Sequence, residues 1–177
     1  MRTDDFWQLI ERARAGGGEP GAVAARAVAL LAAREPEEIV GYARHQQRVL
    51  AASYRVDLWG AAYLINGGAS DDGFEYFRGW LMTQGRAVFA RAVAEPDSLA
   101  ELPRVRAASL SGEEFECADM LAVPWDAYRR TTATDLPVDR PASPEPDLND
   151  FWDFDDPDEA RRRLPRLAAL FVEPPQE

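Results

Sequence analysis

Along the chain, apolar side chains recur at the three- and four-residue spacings of an α-helix, and no run alternates with the period of two expected of a half-buried strand. Phe6, Trp7, Ile10 and Ala13 make one stripe that stops at the glycine run of residues 16–18, with Asp4 placed to cap its start. Pro20 opens a second helix carrying Val23, Ala27, Leu30 and Leu31, because a first helical turn has no partner for the N–H that proline lacks. Pro36, followed by Glu37 and Glu38, opens a third with Ile39, Tyr42, Gln46, Val49 and Leu50 on one face. Residues 55–66, RVDLWGAAYLIN, are apolar around nearly the whole circumference, which predicts a central helix whose Gly60, Ala61 and Ala62 let neighbours come close.

A corner follows, NGGASDD at residues 66–72, and then a helix over 72–84 with Phe74, Tyr76, Phe77, Trp80 and Leu81 on a stripe about 160° wide. Gly85 ends it, residues 86–95 continue as a shorter helix, and EPDSLAELP reads as a turn. Ser111 with Glu114 three residues later forms a capping-box pattern, predicting a helix from about 112 to 122 with Cys117 in its middle. Residues 131–148 are rich in Pro, Thr, Ser and Asp and read as a linker. Beyond it, three aromatics, Phe151, Trp152 and Phe154, interrupt an acidic run, and Asp156 with Pro157 looks like the cap and first turn of a last helix. So many large apolar groups in one segment would make a patch that soluble chains seldom expose, so the segment is expected to dock onto the body. The prediction is one all-α domain over 1–130, a Pro-rich linker over 131–148, and a docked segment over 149–177.

Charge narrows the partners. The net charge is −11 and every one of the 20 basic residues is Arg, so a surface built to hold a phosphate backbone is not expected, whereas a basic protein is a fitting partner. No apolar run reaches membrane-spanning length and the first residues are acidic where a secretory leader is apolar, so neither membrane nor export is expected and the setting is read as cytoplasmic. Cys117 and His45 are the only residues of their kinds, which leaves no disulfide and no thiolate-based metal site. Cys117 is read as a small apolar filler, and His45 as a partly buried histidine beside the face of the third helix. No cofactor is predicted: the corner lacks the Lys of a phosphate loop, and its adjacent aspartates do not match a calcium loop.

At the corner, Gly67 suits the left-handed residue that ends a helix, and Asp71 or Asp72 suits the cap of the next. One glycine and one aspartate are thereby accounted for; the second of each is not. Tyr63, Asn66, Asp71, Asp72, Arg78 and Arg86 are the candidate binding residues, with Asp57 as a possible further wall. Arg78 is expected either to pair with Glu75 one turn away or, if buried, to meet one of the nearby aspartates, since an unpaired buried charge is costly.

The block LWGAAYLINGGASDDGFEYFRGWLMTQGR, with DDFWQLIERA before it and EPDSLA after it, resembles the bacterial family called domain of unknown function 4240 over most of residues 4–128. The matching positions include Trp59, Tyr63, Gly67, Gly68, Asp71, Asp72, Phe74, Arg78, Trp80, Arg86, Pro96, Asp97 and Ser98. The resemblance implies no activity, cofactor or catalytic residue, but it includes both aspartates and both arginines of the corner, where a cap needs only one. The expected function is therefore a non-catalytic binding or regulatory protein that holds a small polar ligand, a peptide or a basic protein near residues 66–86. The competing expectation is an enzyme with Asp71 or Asp72 as general acid or base and Arg78 or Arg86 orienting an anionic substrate.

Overall fold

A computed structural model describes residues 1–137 and 150–172. Among the described residues ten α-helices and one 3-10 turn succeed one another and there is no strand: α1 Thr3–Arg14, α2 Pro20–Ala32, α3 Pro36–Ala52, α4 Val56–Asn66, α5 Asp71–Thr83, α6 Arg86–Ala94, the 3-10 turn Pro96–Glu101, α7 Pro103–Ser111, α8 Ala118–Thr132, α9 Pro157–Arg163 and α10 Pro165–Phe171. Pro20 and Pro36 each occupy a first helical turn, as their position predicts. The first helix starts ahead of Asp4, and it is the Asp5 carboxylate that accepts the Arg2 N–H at 3.1 Å.

The core lies where α2, α3 and α5 pack against α8, around Phe6, Tyr42, Phe74, Phe77, Trp80 and Phe115, all fully buried. Close approach there depends on one missing methyl group. A Cβ on Gly79 would stand 2.3 Å from the Cys117 carbonyl oxygen, so only glycine lets α5 lie this near the 115–117 segment. His45 is buried with its ring 4.7 Å from that of Phe6, and burial, reinforced by Arg48, pushes its pKa down, which keeps it neutral.

Two expectations fail between residues 103 and 118. A helix, α7, occupies Pro103–Ser111 where none was expected, and Ser111 ends it, with Gly112 in the left-handed conformation at φ 69°. The Ser111–Glu114 pattern is thus a helix end resembling a helix start; the Ser111 hydroxyl accepts the Glu113 N–H within a turn. α8 begins six residues later than predicted, and Cys117 is its flanking residue rather than its middle. The thiol is buried, which pushes its pKa up and suits the filler role.

The C-terminal segment packs against the body through α10, which meets the 3-10 turn, α4 and α7. Trp152, Leu164 and Leu167 are buried, so the expected docking is present. The last helix is in fact two, broken before Pro165. The predicted linker of residues 131–148 begins with the last turn of α8 and otherwise falls largely outside the described residues, as do 173–177. Among the described residues no helix is long and apolar enough to cross a membrane.

Candidate functional site

The corner uses both of its glycines. α4 ends on Gly67 at φ 67°, Gly68 follows at φ 137° with its N–H on the Tyr63 carbonyl at 2.8 Å, and each of these conformations disfavours a side chain. The cap of α5 is Ser70, not Asp71 or Asp72: its hydroxyl accepts the Gly73 N–H at 3.1 Å. A serine ends the turn one residue sooner and leaves both aspartates in the first helical turn, where negative charge suits the exposed N–H groups.

Asp71 is committed elsewhere. It accepts the Tyr54 hydroxyl at 2.5 Å, and burial together with that bond pushes the Tyr54 pKa up to about 12. The Tyr54 ring in turn lies 4.7 Å from the Arg78 guanidinium, and Phe74 lies on it at 4.6 Å. Arg78 is only 5 % exposed, yet no carboxylate among the described residues pairs with it. Instead it donates to the Leu50 carbonyl at 2.8 Å, in the last turn of α3. The expectation of a carboxylate partner is corrected here: a helix C-terminus carries partial negative charge, and two aromatic faces add to it, so the cation is held without an anion. Burial lowers its pKa, with opposing help from Glu75, Tyr54 and Asp71.

The other candidates scatter. Asn66 clamps the 115 segment, accepting the Phe115 N–H at 2.9 Å and donating to its carbonyl at 3.3 Å. Asp72 is exposed and touches no partner among the described residues. Arg86 stands beyond the far end of α5, about 18 Å along the helix, where it pairs with Asp4 at 2.7 Å beside a cleft of about 530 Å³ floored by Trp7, Ala87 and Ala90. Arg78 and Arg86 therefore do not converge on the corner aspartates. No arginine contacts either aspartate through an ion pair among the described residues.

Tyr63 points to the tail: its hydroxyl donates to Asp155 at 2.7 Å, and that bond, ahead of burial, raises its pKa. Beside it runs a groove of about 310 Å³, lined on the corner side by Tyr63, Leu64 and Gly67 and on the tail side by Phe154, Asp155 and Phe171. The α1–α6 cleft is larger, but its charged rim residues already satisfy one another, since Asp4 holds the Arg86 guanidinium and Glu11 accepts the Arg86 N–H. The smaller groove keeps a body and a tail wall on opposite sides.

Sequence reasoning named Asp57, Gly60 and Asp97 but did not assign them to the tail, which they hold. Asp57 accepts the Trp152 indole N–H at 3.1 Å and pairs with Arg163 at 3.2 Å. Asp97, 7 % exposed, accepts the N–H groups of Arg166 at 3.1 Å and Leu167 at 2.9 Å, so it caps α10 from across the fold. Gly60 lies under the indole, where a Cβ would be 2.4 Å from the ring. The apolar character of α4 and the small side chain of Gly60 were visible signals of a close neighbour; which neighbour was not.

The residues 1–130 that build the body, the corner and the walls under the tail are those matched by a single family model. The chain belongs to the DUF4240 family. That model is described as a protein of unknown function, and it ends before the tail. No curated protein and no solved structure matches this DUF4240 chain. Among its described residues no group of three or more His, Cys, Asp and Glu side chains is placed to hold a metal ion.

Proposed function

We propose that this protein is a non-catalytic binding or regulatory protein that holds a polar ligand or a peptide in the groove between the corner and the tail. The observation that carries the reading is the Tyr63–Asp155 hydrogen bond at the lip of that groove, which joins a family residue of the corner to the tail. Polar groups of the body bind polypeptide throughout this region: Asn66 grips the 115 backbone, Asp57 an indole, and Asp97 two backbone amides. Such groups are built for recognition, whereas a general acid or base needs its orienting arginine within reach of the same atoms. A basic partner suits the groove's Asp155. A cytoplasmic setting fits a chain whose single cysteine is buried.

Photo-crosslinking tests this. A benzophenone amino acid at Leu64 should give covalent adducts in cells, read by gel mobility and intact mass, while the same group at Arg34, between α2 and α3 and outside the groove's lining, should not. Equal labelling at both positions, or none at Leu64, would remove the groove as a binding site.

A further inference from the structure

The tail is attached to the body as a ligand is attached to a receptor. Its contacts are made by side chains entering prepared seats: Trp152 over Gly60 with its N–H on Asp57, Arg166 on Asp97 at 3.0 Å and Glu101 at 2.6 Å, and Glu95 closing the same guanidinium. Four body carboxylates, Asp57, Glu95, Asp97 and Glu101, thus face two tail arginines, Arg163 and Arg166. The apolar share is equally directional, with Leu164 and Leu167 buried and Phe154 against Trp59 and Tyr63. All of the seat lies within the family-matched residues, and all of its occupant lies outside them.

We propose that the face formed by α4 and the 3-10 turn is a peptide-docking site, and that residues 150–172 are a tethered ligand that occupies it until a segment of another protein replaces them. The replacing segment has the tail's chemistry: a Trp-x-Phe pair followed by two short helices whose docked side carries both the arginines that meet the body carboxylates and the buried leucines. This deepens the binding role proposed above and rests on it, and it adds a regulation: because the tail forms one wall of the groove, displacing it opens the groove. A tethered occupant competes at an effective concentration in the millimolar range, so a free peptide binds the intact chain weakly and binds well once the tether's grip is reduced.

The test uses the full chain. In the Trp152→Ala, Arg166→Ala double variant the tail keeps its linkage but loses its two anchors. A fluorescein-labelled synthetic peptide with the sequence of residues 150–172 is titrated against it and against the parent, followed by anisotropy, with circular dichroism as a check on the fold. The expected result is saturable one-to-one binding to the double variant at least tenfold tighter than to the parent, with a native helical spectrum. The same peptide carrying Trp152→Ala should bind at least tenfold more weakly, and this arm needs no further change in the protein. Adding Gly60→Val to the double variant should abolish binding. Loss of the helical spectrum that added peptide does not restore would make the tail part of the core and overturn the proposal. So would absence of saturable binding, or a concentration-dependent dimer of the parent, which would make a second copy the occupant. Crosslinking at Leu64 without peptide exchange would leave the groove as a binding site and sink only the tethered ligand.

Discussion

The corner and the tail seat meet at Trp59 of α4, whose ring touches Tyr54 and Phe74 of the one and Phe151 and Phe154 of the other, yet they hold their polar groups in opposite ways. At the corner a carboxylate, a phenol and a guanidinium follow one another, Asp71 to Tyr54 to Arg78, and the cation ends against a helix terminus and ring faces. At the seat, arginines meet carboxylates directly and backbone amides are capped by a side chain from another part of the chain. The first arrangement stays within residues 50–78 and closes on itself, so it stiffens the fold. The second joins residues 57–101 to residues 150–172, and every one of its polar links could be remade with an equivalent segment. The corner candidates Asn66, Asp71 and Arg78 thus build the frame, and Asp57 and Asp97 do the gripping.

The sharpest break between the two regions should come from Trp152→Ala set against Asp72→Ala. Emptying a buried indole seat costs about 3 kcal/mol or more where the surroundings cannot collapse, whereas an exposed carboxylate without partners is worth no more than about 0.5 kcal/mol. Thermal or urea melts of the two variants should therefore separate clearly. Similar melting of both would mean that the tail contributes nothing to the stability of the body, which would reduce the seat to a surface contact.

Arg78 comes next, and the choice of substitution matters more than the loss of charge. Its stem and guanidinium fill the space beside Tyr54 and Phe74, while the Leu50 carbonyl keeps the Ser53 hydroxyl at 2.9 Å as an acceptor's second partner. Arg78→Ala should cost about 2 kcal/mol, mostly as lost packing, and Arg78→Met should recover most of that. If Met is as damaging as Ala, the charge at the end of α3 is what counts, and the corner is an electrostatic device after all.

These contrasts explain what the sequence made legible. Helix starts at Pro20 and Pro36, the left-handed turn at Gly67 and the buried faces of α4 and α5 depend on neighbours within a turn or two, and they were readable. α7 was not, because Arg104 and Arg106 alternate with its buried Val105 and blur the apolar stripe, while Ser111 imitates a start at the point where the helix stops. The Ser70 cap lost to two more conspicuous aspartates beside it. Tyr54 and Asp71 are 17 residues apart, Asp97 and Arg166 are 69, and nothing local marks either pair. Partner choice at such separations is decided by how helices stack, which the pattern of one chain does not encode position by position.

Asp97 sharpens the comparison at a smaller scale. With both oxygens on the amides that open α10, Asp97→Ala should cost about 1 to 2 kcal/mol, and Asp97→Asn less, because one acceptor oxygen survives. The loss should appear first as faster hydrogen exchange at the Arg166 and Leu167 amides, with the amides of α5 unchanged. Equal acceleration in α5 would join the two regions into one cooperative unit and remove the distinction between frame and occupant.

The mildest test separates them by pH, because their linkages have opposite signs. In the tail, hydrogen bonds from Arg163 hold Asp150 below its ordinary 3.8 and bonds from Arg162 and then Arg163 hold Glu159 below 4.5, and on the seat Arg91, then Arg166, does the same for Glu101. Groups whose pKa falls on folding stabilise above the unfolded value, so this contribution is present above about pH 4.5 and fades as the pH drops further. These carboxylates are exposed, so the acid limb should be shallow. At the corner the sign reverses: Tyr54 titrates in the unfolded chain near 10 and in the fold at about 12, raised first by burial and then by Asp71. Its contribution is complete below pH 10 and is lost as the pH climbs through 12. Melting temperature should therefore decline at both ends. Tyr54→Phe should flatten part of the alkaline limb and leave the acid limb alone, the remainder including Tyr42 and Cys117, raised by burial, and Tyr63, raised by Asp155. Arg163→Met should do the converse, flattening part of the acid limb only, the rest belonging to Glu101, Asp5 and the buried His45. An acid limb that moves with Tyr54→Phe would show the corner and the tail seat titrating as one network, and the division drawn between them would fall.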